Sequence, residues 1–315
     1  ITGSDGKTTT TTLISEILKE KGYNVFLGGN IGTPLFTRVD EMQPGDVVVL
    51  EMSSFQLMNM TVSPHIAVVT NVTPNHLDYH TDLEEYIEAK KSIFKYQNED
   101  DILILNYDNA VTKGFADEAK GKVIFFSDQE RLDNGYIVDD GTIKCCENKL
   151  RKHILNTRDV ALIGKHNYQN ICAALAATET LVDEETAKRV VTRFTGVHHR
   201  LELVKTSANN VKWYNDSASS TPTRTISGIK AFYKKVILIA GGYDKNLDYT
   251  PIAKPIVDGV KTLILMGNTK TKIYKAVTKE LEAQNKKLDI YEAFSLEEAI
   301  EIADDVSTQG DIVLF

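Results

Sequence analysis

The chain opens on Ile1-Thr2-Gly3-Ser4-Asp5-Gly6-Lys7-Thr8, and this run constrains the fold more than any other. Its two glycines let the backbone turn so that N–H groups point at phosphate oxygens. Lys7 supplies a point charge for the outer phosphates, and the Thr8 hydroxyl can ligate Mg2+. The stretch from Thr9 to Glu20 predicts a helix, whose positive N-terminal end adds to the anion site. The spacing is shorter than G-x-x-x-x-G-K-[ST], so an ordinary turn stays open as an alternative. A strand should precede such a loop, and Ile1 represents little of it.

The rest of the chain alternates apolar, β-rich runs with helical patterns. Val47–Leu50, Ile66–Val69, Ile102–Leu105 and Val123–Phe126 predict buried strands; Leu13–Leu18, Leu83–Phe94 and Asn170–Leu181 predict helices, with Gly22 as a C-cap. The expected fold class is α/β: a phosphate-loop domain with a mostly parallel central sheet, followed by a Rossmann-like α/β domain. Gly135–Lys144 predicts a hairpin around Asp139-Asp140-Gly141, hence a small antiparallel patch. A second unit is expected after Thr195-Gly196, giving domains 1–196 and 197–315. Its strands are Leu201–Val204, Val211–Tyr214, Val236–Ala240, Thr262–Met266 and Asp311–Leu314. Its helices lie near Thr223–Phe232, Lys270–Glu282 and Leu296–Val306. No G-x-G-x-x-G run indicates a dinucleotide site.

At 315 residues the chain is long enough for two cores. Its net charge is −8 with no block of Lys/Arg, which argues against a nucleic-acid surface. No apolar run reaches membrane-span length. Cys145, Cys146 and Cys172 show no metal-ligand spacing, and adjacent cysteines pair poorly, so a reducing cytoplasm is the simplest setting.

Several clusters could carry chemistry, each with a plainer alternative. Glu51 ends a strong strand, where ligands collect in open sheets; it could hold Mg2+ opposite Thr8 or cap the next helix. His76 follows another strand end and could ligate metal or touch substrate, although a lone histidine is more often a surface or core residue. Lys90 and Lys91 read by themselves as a solvated helix face. Asn167 and Asn170 could cap a helix or bond a base. Arg200 could fork onto a phosphate, Asp216 could accept from a ribose or an ordered water, and Lys245 could reach a carboxylate; each could equally be surface.

Taken together, the runs TGSDGKTTT, GGNIGTPL, VLEMSSFQL, TNVTPNHLDYH, YIEAKKSIF, GKHNYQN, FTGVHHRLE, WYNDSASSTPTRT and AGGYDKNLDY resemble the Mur ligase family and cover nearly the whole chain. GGNIG with LEMSSFQL favours the D-glutamate-adding branch. The resemblance implies an ATP-dependent acid–amino-acid ligase of peptidoglycan synthesis. Its expected substrates are UDP-N-acetylmuramoyl-L-alanine and D-glutamate, activated through an acyl phosphate, with no nucleic-acid partner and no oligomer predicted. It implies that Gly3, Ser4, Asp5, Gly6, Lys7, Thr8 and Thr9 hold the ATP phosphates, with Lys7, His76 and Lys90 catalytic. Thr8 and Glu51 would hold one Mg2+, and His76 and a carbamylated Lys90 would serve a second. Asn167 and Asn170 would lie near the adenine, Arg200 near the phosphates and Asp216 near the ribose. Asn30 and His76 would face the muramoyl-alanine end, and Lys245 a D-glutamate carboxylate. A folylpolyglutamate synthase-like ligase and a non-catalytic nucleotide-binding module are the alternatives.

The chain departs from the family in three ways. Ala218 stands where many members carry lysine, and the neighbouring Ser219, Ser220 and Thr221 offer no charge in its place. Nothing corresponds to the family's N-terminal uridine-binding domain, so Ile1 reads as a cut end. The chain also stops at Phe315, before a family segment that helps hold D-glutamate. The expectation is that this piece alone turns over weakly or not at all, because remote binding energy supports kcat as well as binding.

Overall fold

In the computed structural model, which describes residues 1–73 and 81–315, the opening residues lie between two strands. The Ile1 amine donates to Leu50 O at 2.8 Å, and Met52 N–H donates back to Ile1 O at 2.8 Å. On the other side Thr2 N–H donates to Val68 O at 2.9 Å and Thr70 N–H to Thr2 O at 3.0 Å. These bonds sew a parallel pair, β1 (Val25–Gly29) and β2 (Val47–Glu51), onto a six-stranded sheet. That sheet runs β3 (Ile66–Val69), β4 (Ile102–Asn106), β5 (Lys122–Ser127), β6 (Gly135–Asp139), β7 (Thr142–Glu147) and β8 (Leu150–Asn156), in chain order.

From β3 to β6 the pairing is parallel, and β4 is buried along its whole length, as a strand covered on both faces must be. Alternate residues feed two cores. Ile102 and Ile104 join α1 (Lys7–Lys21) and α5 (His166–Thr178) on one face. Leu103 and Leu105 join Tyr86 of α3 (Leu83–Lys91), Leu57 of α2 (Ser54–Leu57) and Phe115 on the other. The short α4 (Ala110–Gly114) and the strongly amphipathic α6 (Glu184–Arg193) complete the first unit, Ile1–Phe194.

The expected hairpin is present: β6 and β7 pair antiparallel, joined by Asp140-Gly141 with both φ angles positive (47° and 67°). This is the two-residue turn whose twist matches its strands. A second such turn, Asn148-Lys149 (φ 50° and 69°), adds β8 to the antiparallel patch.

The second unit, Thr195–Phe315, holds a six-stranded sheet. Its strands are β9 (Glu202–Thr206), β10 (Lys212–Asn215), β11 (Val236–Gly242), β12 (Val260–Gly267), β13 (Asp289–Glu292) and β14 (Ile312–Leu314), in the spatial order β13-β12-β11-β14-β10-β9. All pairs are parallel except β9–β10. Its helices are α7 (Pro222–Lys230), α8 (Ala253–Gly259), α9 (Lys270–Gln284) and α10 (Leu296–Val306). Ala299 and Ala303 of α10 let that helix approach Ile237, Ile239, Ile264 and Val313 closely.

Among the described residues no helix is long and apolar enough to cross a membrane. Sequence periodicity does not single out β1, β8, α6, α8 or β13. It also starts α1 and α5 too late, because the first turn of each is polar and faces the site.

Candidate active site

The phosphate loop is held from behind by the end of β3. Gly3 adopts φ 147°, and a Cβ there would lie 1.9 Å from Thr70 Oγ1. That same hydroxyl donates to Asp5 O at 2.6 Å. Gly6, at φ 83°, is the residue before α1, and a Cβ on it would lie 2.3 Å from Asn170 Oδ1. Both positions therefore need glycine on two grounds, conformation and space.

The Ser4 and Asp5 N–H groups point inward, to Asn71 O (2.8 Å) and Asn71 Oδ1 (2.9 Å). The intrahelical ladder starts with Thr10 N–H to Gly6 O, so the donors that α1 leaves for an anion are those of its first turn, around Lys7, Thr8 and Thr9. Lys7 Nζ meanwhile donates to Gly3 O (2.9 Å) and Ser4 O (3.1 Å), folded over the loop it would serve.

The Ser4 hydroxyl is saturated. It donates to Thr73 O (3.0 Å) and accepts from Thr73 N–H (2.9 Å). Its single proton being used, the Tyr86 O–H 3.0 Å away must donate to it. Burial raises the Tyr86 pKa and so keeps that proton in place. Sequence reading missed Tyr86, although it lies four residues before Lys90 and hence on the same helix face.

Glu51 closes β2 and is 2% exposed. Its Oε1 accepts from Asn30 Nδ2 at 2.9 Å, while its buried Oε2 has no hydrogen-bond partner among the described residues. The capping alternative for Glu51 fails: Ser53 and Gln56 form the capping box of α2. Asn30 accordingly sits beside Glu51, as the carboxylate's tether.

The solvated-face reading of Lys90 also fails. Lys90 is 1% exposed, donates to Gly3 O (3.0 Å) and Thr2 Oγ1 (3.4 Å), and lies 4.6 Å from the Tyr86 ring centroid. Burial first, and the Lys7 charge second, lower its pKa from 10.5 to about 7. Its neighbour Lys91 is partly buried and pairs with Glu88 and Glu118. His76 lies outside the described residues.

Asn167 and Asn170 on α5 are both buried and joined, Asn170 Nδ2 donating to Asn167 Oδ1 at 2.8 Å. Asn167 Nδ2 donates to Ile163 O (2.6 Å), and Thr10 Oγ1 donates to Asn170 Oδ1 (3.3 Å). Neither is the N-cap: that position is Lys165, with no side-chain cap bond.

A helix end with free first-turn N–H groups, a buried lysine amine of lowered pKa and a carboxylate oxygen with no partner among the described residues thus lie at the strand ends. The donor set fits a hard cation with phosphate. Glu51 Oε2 is a buried oxygen that no described residue engages, and Thr8 lies half-buried in the first turn of α1. Among the described residues no group of three or more His, Cys, Asp or Glu converges.

In the second unit, Asp216 is buried at the end of β10. It accepts from Leu201 N–H (3.0 Å) and Ser219 Oγ (2.5 Å). Burial raises its pKa, opposed by these bonds and by the charges of Arg200 and Arg224. It borders a cavity of about 260 Å3 with Ser217, Ser219, Thr221, Tyr243 and Lys245, the last two exposed. Ala218 N–H donates to His199 O (3.0 Å), so this residue acts through its backbone.

A phosphate loop backed by a buried carboxylate, followed by a second α/β unit with its own polar cavity, defines a two-unit nucleotide-handling protein. The chain belongs to the Mur ligase family: the Mur ligase middle domain matches residues 1–178, and the Mur ligase glutamate ligase domain matches residues 199–315. It is 49% identical over 316 aligned positions to a UDP-N-acetylmuramoylalanine--D-glutamate ligase of Acetivibrio thermocellus, covering 100% of this chain and 68% of that protein. A ligase of the same name from Clostridium botulinum is 48% identical, with 99% and 67% covered. Among solved structures, the UDP-N-acetylmuramate-alanine ligase of Thermotoga maritima aligns with TM-score 0.71 at 20% identity, covering 100% of this chain and 70% of that one. The UDP-N-acetylmuramoylalanyl-D-glutamyl-2,6-diaminopimelate--D-alanyl-D-alanyl ligase of Acinetobacter baumannii aligns with TM-score 0.73 at 17%, covering 100% and 71%. These two structures establish the shared fold.

Proposed function

We propose that the chain is an ATP-dependent ligase of peptidoglycan synthesis that joins D-glutamate to UDP-N-acetylmuramoyl-L-alanine, working in the cytoplasm. The substrate pair rests on the D-glutamate ligases it resembles. The observation that carries the chemistry is the phosphate loop with, beside it, the Glu51 oxygen that no described residue engages and the buried Lys90 amine. The family's division would fall at 196/197, within the short stretch between the two matched domains.

The first difficulty of the reaction is electrostatic. A carboxylate must approach a γ-phosphate, and two unit charges at ~4 Å repel by about 4 kcal/mol at an effective dielectric of 20. Lys7, released from Gly3 O and Ser4 O, offers its charge to the phosphates. The first-turn N–H groups of α1 add theirs at no reorganisation cost. Mg2+ held by Thr8 and Glu51, with a second ion near His76 and Lys90, would neutralise the phosphate oxygens further.

A carboxylate oxygen then bonds to the γ-phosphorus as the bridge to ADP breaks. The D-glutamate amine attacks the acyl carbon, phosphate leaves with the C–O electrons, and the new amide loses a proton. Lys245 would hold a D-glutamate carboxylate and Arg200 a phosphate, while Asp216 would meet the ribose. Asn167 and Asn170 would receive the adenine, and Asn30 with His76 the muramoyl-alanine end.

The depressed pKa suits Lys90 for carbamylation. A neutral Nζ lone pair adds to CO2, forming an N–C bond and releasing one proton, so that a cation becomes an anion beside the metal site.

The test is an assay of the protein in its encoded length. Phosphate release should require ATP, the muramoyl-alanine nucleotide and D-glutamate together, and should not occur with a folate and L-glutamate. Activity with the folate pair only, or ATP binding without phosphate release, would overturn the reading. Lys90→Ala should abolish turnover, and short-chain carboxylates should restore part of it. Full activity without them would remove the carbamate role.

A further inference from the structure

Helix α5 carries both asparagines of the proposed base site, and its N-cap residue Lys165 makes no side-chain cap bond. Gln169, between the two asparagines in sequence, ties the helix to two strand ends through its side chain. Gln169 Nε2 donates to Asp108 Oδ2 at 3.0 Å and to Asp128 Oδ1 at 2.6 Å, while its Oε1 accepts from Asn106 Nδ2 at 3.2 Å. Both amide protons and the carbonyl are thereby engaged.

The partners stand at the carboxyl ends of two strands. Asn106 ends β4 and Asp108 follows it; Ser127 ends β5 and Asp128 follows it. They are tied to each other as well. Asp108 accepts from Ser127 Oγ (2.5 Å) and from Asp128 N–H (2.9 Å), and Asn106 Nδ2 donates to Thr70 O at 2.9 Å. Thr70 is the residue whose hydroxyl holds Asp5 O of the phosphate loop. A continuous chain of bonds therefore runs from the loop through Thr70 and Asn106 to Gln169, and so to Asn167 and Asn170.

We propose that Gln169 is a positioning residue for nucleotide binding. By clamping α5 to the ends of β4 and β5, it sets where Asn167 and Asn170 stand relative to the phosphate loop. With its described polar groups engaged, Gln169 has no role that requires touching ligand. Its residue type is demanding: two carboxylates on one side and an amide donor on the other call for two donors and one acceptor on one planar group. Glutamate would supply neither donor and add a third negative charge. Leucine would leave both carboxylates without their shared partner, in partly buried surroundings where such a loss is costly. The base asparagine tolerates little drift, since Asn170 Oδ1 already occupies the space beside Gly6.

The inference rests on the ATP-dependent reading, and two measurements separate their failures. In the encoded-length protein, Q169L and Q169E should weaken ADP binding and raise KM for ATP at least tenfold, with KM for D-glutamate unchanged. The double variant Q169E/D128N, which returns an amide opposite the new carboxylate, should recover ADP affinity to within a few-fold of the parent. Hydrogen exchange in the nucleotide-free protein should quicken at least tenfold over residues 166–170 in Q169L, and also in the milder Q169N if Q169L folds poorly. Unchanged ADP affinity in folded variants, equal rises in both KM values, or unaltered exchange would each overturn the positioning role. Failure of the parent to bind ADP would overturn the nucleotide reading, while the exchange result would still decide whether Gln169 fixes α5.

Discussion

Around the phosphate loop of the first unit, the side chains that shape the loop are engaged without a ligand: Ser4 has its full set of partners, Asn71 holds two backbone N–H groups, and Lys7 lies across Gly3 O and Ser4 O. Around the Asp216 cavity of the second unit only the floor is fixed. Asp216 has Leu201 N–H and Ser219 Oγ, but Lys245 and Tyr243 stand exposed at the rim. The first site is pre-organised and its ligand would arrive into a formed cradle. The second must order long side chains as it binds, at a cost of up to ~2 kcal/mol for a lysine. Substitutions in the first should therefore change folding stability together with function, and those at the rim of the second function alone.

The largest effect is expected where this contrast is sharpest. Lys90→Met should stabilise the fold, because it removes a buried amine from the first site. Below pH about 7 that amine is charged in both the folded and the unfolded chain, and its desolvation cost is fully present. Between about 7 and about 10.4 the folded chain has lost the proton and the unfolded chain has not, so parent stability rises with pH. The variant's advantage is bounded at about 5 kcal/mol at pH 7 and below, is reduced by the lost bonds to Thr2 and Gly3, and shrinks toward pH 10. Urea denaturation across this range measures it; an advantage that grows with pH would break the argument.

Gly6→Ala should come next. Positive φ strain of about 1–3 kcal/mol adds to the contact with Asn170, lowering stability by that order and ADP affinity by about 10- to 100-fold. Calorimetry of ADP binding checks the affinity loss, and urea denaturation checks the stability loss. In the second unit, Lys245→Ala should raise KM for the amino acid about tenfold, equivalent to 1.4 kcal/mol, with the melting temperature unmoved. A large stability loss there would erase the contrast between the two sites. Smallest is Ser53→Ala, which opens the capping box beside Glu51 and should cost about 1 kcal/mol of stability.

Much of the framework was legible because its strands are apolar along their length. Ile102–Leu105 and Val236–Ala240 cannot be solvated and must be covered on both faces. What escaped was amphipathic or interrupted. Strand β8, Leu-Arg-Lys-His-Ile-Leu-Asn, is exposed over its first four residues. Strand β13 is a mostly exposed edge, and α8 contains Pro255 within its span.

The site divides in the same way. The loop is local in sequence, so its glycines announce it. Lys90 reads as solvent-facing because nothing in Glu-Ala-Lys-Lys says that α3 turns this residue onto Gly3, 87 positions earlier. Gln169 was invisible for the same reason, its partners lying 41 to 63 residues away. Only Tyr86 could have been found, from its helical spacing to Lys90.

The ribbon at the far end of the first sheet acts as an end-stop. A parallel sheet that finished at β6 would offer a bare row of N–H and C=O groups to any passing strand. Two tight turns instead fold on β7 and β8, and the outermost strand presents Arg151, Lys152 and His153 to water, with Lys152 anchored to Glu184 of α6. The charged outer strand thus opposes growth by sheet addition at this edge, at the other end of the sheet from β3, which pairs with the phosphate loop's Thr2.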